Sequence, residues 1–227
     1  MIIPQTELRL RNTYRLVPSR YPSAGILDAI AGAADLELVI ELESWTNDRV
    51  SAELGLLHRI PAEEWVTGRP MATVIMAPFC HPHPGGSRFN GPDRGAWYSS
   101  LSLETAHAEV IYHRTAELAE IGVFDTYVQE RVYLADFRGQ FHDLRPENPA
   151  YRRYHSSNSY SESQKLGREL LSAGSNGIIY RSVRHSGGYC LSCFRPKLVT
   201  NVRQGHHFEY RWTGTPAPAV HQLRGRS

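Results

Sequence analysis

Apolar residues recur at helical spacing between residues 24 and 59, at positions such as Ile26, Ile30, Leu36, Val39 and Ile40. Interruptions near Gly32 and at Thr46-Asn47-Asp48 divide this stretch into short helices. Pro61 sits where a further helix could begin, running through Glu63, Glu64 and Trp65. Met71 to Pro78 is a continuous apolar run and reads as a short strand, followed by a Pro/Gly/His loop from His81 to Pro92. Gly95 to Ser100 reads as a strand, and Ser102 caps a helix predicted to reach about Leu118. Alternation over residues 124–136 predicts a long strand. Ser161 to Gln164 resembles a capping box that opens a helix ending near Gly174. Gly177 to Tyr180, Tyr189 to Arg195 and Lys197 to Val202 read as three more strands. Some joins are helical and others are turns, so the pattern predicts an α+β domain. We expect a single domain over residues 1–213, with a mixed, mostly antiparallel sheet flanked by helices. Residues 24–65 are expected to be a helical insertion, and residues 214–227 a loose, flexible tail.

Composition narrows the function classes. The 227 residues are 41% hydrophobic and 21% charged, ordinary values for a globular protein. The formal net charge is +2 and the basic residues are scattered, which argues against direct nucleic-acid binding. The stretch Ile26 to Leu42 is broken by Asp28, Asp35, Glu37 and Glu41, too polar to span a bilayer. The N-terminus shows no secretory pattern, and three cysteines make no disulfide framework. A reducing, cytoplasmic setting is the expectation. Cys190 and Cys193 form one C-x-x-C pair, but in a strand residues three apart face opposite sides. Buried structural thiols fit better than a metal or redox pair.

Phosphate-loop, dinucleotide-fold, nucleophile-elbow and zinc-protease motifs are all missing from the sequence. What remains is a set of polar residues at the ends of predicted elements. The loop Gly85 to Gly91 carries Arg88, whose planar fork suits phosphate oxygens. Tyr98 follows on the strand leading out of that loop, where core packing is the bland explanation. Glu109 lies beside the apolar stripe of Leu103, Ala106 and Val110, so it must be hydrated, paired or functional. His113, four residues on, shares its face. Arg15 is by itself an ordinary surface arginine. Ser161 and Ser182 are both candidate site serines: the first is explained by a helix cap, the second by a turn. His81, His83, His206 and His207 could bind a metal, but the alternating prolines around the first two favour a stiff exposed loop, and no metal is expected.

In order and spacing, these pieces resemble the RES domain family, named for arginine, glutamate and serine. The matching segments are Tyr14-Arg15, Gly86 to Asn90, Ala96 to Ser99, Ser102 to Val110, Ser161 to Gly167, Gly177 to Arg184 and Phe194 to Pro196. The resemblance implies a fold similar to that of ADP-ribosyltransferase toxins. It implies a toxin that depletes NAD by hydrolysis or phosphorolysis, with no resident cofactor: NAD is consumed, and inorganic phosphate is a potential co-substrate. The implied partner is an Xre-type antitoxin, and a homo-oligomer stays open. Carried over, the family's arginines fall on Arg15 and Arg88, its tyrosine on Tyr98 and its glutamate on Glu109. Its serine falls on Ser182, with Ser161 as second choice. Leu16 stands where some relatives have an aromatic residue, and Arg181 where many have proline. Alternative functions are ADP-ribosyl transfer to a protein and a non-catalytic NAD-binding regulator.

Overall fold

The organising element is β3 (Asp125–Leu144), a 20-residue strand longer than the stretch the alternation predicts. The structure, a computed structural model, describes residues 3–29 and 54–224. Along one side β3 pairs antiparallel with β1 (Gln5–Pro18). Along the other it pairs antiparallel with β6 (Thr200–Thr213), and then parallel with β4 (Gly177–Arg181) near its C-terminal end. Strands β2 (Trp97–Ser100) and β5 (Tyr189–Cys193) complete a circuit, β1-β2-β5-β4-β3, that returns to β1. Strand β7 (Ala219–Leu223) extends the sheet beyond β6. Every pairing but β3–β4 is antiparallel, the mixed sheet expected for this α+β domain.

Helices α1 (Ile26–Ala29), α2 (Ala72–Cys80), α3 (Leu103–Ile121) and α4 (Ser161–Ser172) pack around this sheet. Helix α3 starts as its sequence says: the Ser102 hydroxyl accepts from the Thr105 amide at 3.2 Å, satisfying an otherwise orphaned donor. It ends at Gly122, whose φ of 68° is the left-handed conformation that stops a helix. Its apolar side, Leu103, Val110, Ile111 and Leu118, covers Phe208, Tyr210 and Trp212 of β6.

Several elements differ from the expectations. Residues 72–80 form a helix, not a strand, because α2 is buried nearly all round and its apolar run carries no period. Its start is fixed from a distance: the Asp28 carboxylate accepts from the amides of Ala72 (3.1 Å) and Thr73 (3.2 Å). The helix expected after Pro61 is a single 3₁₀ turn, Ala62–Glu64. Most of the predicted helical insertion, residues 30–53, lies outside the described residues. The strand expected at Lys197 to Val202 splits into a 3₁₀ turn, Pro196–Leu198, and the start of β6. The tail is not loose through 219–223. There β7 pairs with His207 to Arg211, and the Thr115 hydroxyl donates to the Pro216 carbonyl at 3.2 Å. Backbone pairing with the edge of β6 orders this segment although its side chains are largely exposed.

Cys190 and Cys193 face opposite sides of β5, one in each of two core clusters, so they cannot act as a pair. Among the described residues no helix is long and apolar enough to cross a membrane.

Candidate active site

The Gly-rich loop is held by a turn of its own and by two neighbours, Tyr98 and Gln164. Within it, the Ser87 amide donates to the Asn90 carbonyl at 2.9 Å, a turn that needs Gly86 at a φ of 72°. The Tyr98 hydroxyl reaches up from β2, accepting from the Phe89 amide (2.8 Å) and donating to Asn90 Oδ1 (2.9 Å). Burial pushes the Tyr98 pKa up to about 12, so the phenol stays a neutral donor at physiological pH. From α4, Gln164 Nε2 donates to the carbonyls of Gly85 (2.9 Å) and Ser87 (3.1 Å). Ser161 and Gln164 therefore form no capping box. Tyr160 occupies the cap position, Ser161 is exposed, and its hydroxyl meets only that of Ser159, at 3.1 Å.

Two expected outcomes follow from this packing. A Cβ at Gly167 would come within 1.9 Å of the Phe89 carbonyl oxygen. Gly→Ala inside a helix ordinarily stabilises by roughly 0.5–1 kcal/mol. Here the backbone clash reverses the sign, and Gly167→Ala should destabilise by about 1–3 kcal/mol, read as a lowered unfolding midpoint. Tyr98→Phe strands the Phe89 amide and Asn90 Oδ1. It should cost about 1–3 kcal/mol in denaturant unfolding and loosen the loop.

Arg88 is only 6% exposed. Its Nη1 donates to the carbonyls of Tyr154 (3.3 Å) and Ser156 (2.9 Å), and its guanidinium lies 4.8 Å from the Tyr160 ring centroid. These contacts occupy one edge of the fork. Arg15 Nη1 donates to the Tyr98 carbonyl at 3.0 Å, with the guanidinium 5.1 Å from the Trp97 ring centroid. Burial lowers its pKa to about 10, opposed by the Glu130 carboxylate, so it stays charged at neutral pH. Glu130, fully buried on β3, accepts from Arg114 Nε at 2.8 Å.

Glu109 projects from α3 toward the turn after β4. Its Oε1 accepts from Ser182 Oγ at 2.6 Å and from the Cys190 thiol at 3.7 Å. Ser182 Oγ in turn accepts from the amides of Arg184 and His185, both at 3.0 Å. With two amides donating to its oxygen, the serine's own proton is committed to Glu109. Burial, reinforced by the Glu109 charge, raises the Cys190 pKa to about 12, which keeps that thiol protonated and donating.

Arg15, Arg88, Tyr98 and Glu109 all line one cleft of about 520 Å³, together with Tyr14, Leu16, Asn90, His113, Tyr160 and Cys190. Ser182 stands behind Glu109, as its hydrogen-bond donor. Ser161 is brought to none of these groups. Asn90 and Tyr160 are not singled out by the sequence, and Gln164 and Cys190 are read there for other roles, a helix cap and a buried thiol. Gln164 and Asn90 fall within the segments that carried the family resemblance, and that is the only signal that could have found them. Among the described residues no group of three or more His, Cys, Asp or Glu could share a metal ion. His81 and His83 line the cleft mouth, where His83 Nδ1 accepts from the Gly85 amide at 3.0 Å.

Residues 56–213, which carry Arg88, Tyr98, Glu109 and Ser182, match the family model described as RES domain. The chain belongs to the RES domain family. It is 27% identical over 204 residues to the uncharacterized protein y4oC of Sinorhizobium fredii (strain NBRC 101917 / NGR234), covering 89% of this chain and 83% of that one. It is also similar to a chain in the crystal structure of the M. tuberculosis MbcT-MbcA toxin-antitoxin complex. That match has a TM-score of 0.47 and 14% identity, and covers 90% of this chain and 86% of the other. Arg15 lies outside the matched RES residues, so its place in the site rests on geometry: β1 delivers it to the cleft that the RES residues build.

Proposed function

We propose that this RES domain protein destroys NAD by cleaving the bond between nicotinamide and ribose, with water or phosphate as the acceptor. One observation carries the proposal: two guanidinium groups and an oriented carboxylate share a single cleft. Two fixed cations suit a pyrophosphate, which carries two negative charges and accepts charge-assisted hydrogen bonds. As the C–N bond breaks, its electron pair leaves with nicotinamide, and positive charge develops on the ribose ring. A carboxylate at that ring stabilises the transition state more than the ground state. Ser182 and the Cys190 thiol both hold Glu109 Oε1, and Oε2 is the oxygen we assign to the ribose. Water then adds to the anomeric carbon, giving ADP-ribose and a proton. Phosphate adding there gives ADP-ribose 1-phosphate.

No cofactor takes part, because NAD is itself the substrate. The family resemblance extends the proposal to a toxin restrained by an Xre-type antitoxin that plugs this cleft. Incubating the protein with NAD, with and without inorganic phosphate, and identifying the products by NMR tests the reaction. Free nicotinamide with ADP-ribose or its 1-phosphate is the expected result. ADP-ribose attached to protein would make the chain a transferase, and intact NAD would overturn the assignment.

A further inference from the structure

Arg184 has no part in the chemistry described above, yet it touches the supports of both halves of the site. Its backbone amide is one of the two that hold the Ser182 hydroxyl against Glu109. Its guanidinium centre lies 3.2 Å from the ring centroid of Tyr112, which sits three residues beyond Glu109 on α3. Its Nη2 donates to the Ser157 carbonyl at 2.8 Å. Ser157 belongs to the stretch 156–160 between the 3₁₀ turn Pro149–His155 and α4. That stretch supplies two contacts of Arg88, the Ser156 carbonyl and the Tyr160 ring. Internally it is held mainly by the Ser156 hydroxyl, which accepts from the amides of Asn158 (3.3 Å) and Ser159 (3.2 Å). Ser157, Asn158 and Ser159 are exposed, so little apolar burial fixes them.

We infer that Arg184 is a positioning residue: it clamps the 156–160 stretch to α3 through Tyr112 and so holds Arg88 in register with Glu109. The inference rests on the NAD-cleaving assignment only for its kinetic consequence. The backbone amide that serves Ser182 survives Arg184→Ala and Arg184→Lys, so the Glu109 side of the site keeps its geometry. Losing the guanidinium should release the Arg88 side. Arg88 grips the non-reacting pyrophosphate in ground and transition states alike, so the loss should fall on KM. Arg184→Ala should raise KM for NAD about tenfold and lower kcat less than about threefold. Arg184→Lys, which retains a cation over Tyr112 and one donor for Ser157, should recover most of the loss.

The decisive measurement is amide hydrogen exchange on the full chain, which needs no substrate. In Arg184→Ala the amides of Asn158 and Ser159 should exchange at least about tenfold faster than in the parent, with α3 and the β3 core unchanged. Tyr112→Leu should show the same local effect, more weakly. Unchanged exchange at 158–159, or a KM loss that Arg184→Lys does not recover, would overturn the clamp. Faster exchange at 158–159 in Arg184→Ala, together with a parent protein that consumes no NAD, would leave the clamp standing and remove the assigned reaction.

Discussion

Glu109→Gln should slow NAD consumption by about 10²–10³-fold while leaving the unfolding midpoint within a degree or two of the parent. Glutamine has nearly the shape of glutamate, and its carbonyl oxygen can still accept from the Ser182 hydroxyl, so the local hydrogen bonds persist. What it lacks is the negative charge opposite the developing cation. Glu109 is partly exposed along the cleft rather than sealed in the core, so the exchange leaves no uncompensated buried group. Stopped-time assays of nicotinamide release, with thermal unfolding of the same samples, separate lost chemistry from lost fold. Full activity in this variant would exclude the carboxylate mechanism.

Arg88 gives the second large effect, and it divides into stability and function. Arg88→Ala removes a buried fork and leaves the Tyr154 and Ser156 carbonyls short of a donor. A cost of about 1–3 kcal/mol in stability is expected, with NAD consumption falling about 100-fold or more in kcat/KM. Arg88→Lys distinguishes the two. An ammonium can donate to the same carbonyls and restore most of the stability. It cannot do so and still present a planar two-pronged edge to a pyrophosphate. Chemical denaturation beside kcat/KM for both variants is the check: a lysine variant restored in both measures would reduce Arg88 to a structural residue.

Legibility in the sequence followed the range of the interactions. Helix α3 could be read because its start signal, Ser102, is local, although it runs on to Ile121, past the expected end near Leu118. Helix α2 could not, because its first amides are satisfied by Asp28, 44 residues upstream in the chain. Strand β7 escaped notice because backbone pairing with β6 orders it while its side chains stay largely exposed, so burial leaves no pattern in the sequence. The site divides the same way. Arg88 and Glu109 stood out modestly by residue type and position. Arg15 looked like any surface arginine, since its place in the cleft depends on β1 pairing with β3 and on a bond to the Tyr98 carbonyl 83 residues away. Ser161 and Ser182 each have a local explanation, a helix cap and a turn. The bond from Ser182 to Glu109 separates them across 73 residues. Gln164, read as half of a cap, instead ties α4 to the Gly-rich loop, a use that spacing cannot reveal.

The most direct test of the central claim is nicotinamide release from NAD by the purified parent protein, followed by chromatography beside Glu109→Gln at equal concentration. The account predicts nicotinamide appearing in step with NAD loss in the parent and release at least about 100-fold slower in the variant. NAD left intact by the parent, or released nicotinamide at equal rates from both proteins, would contradict it.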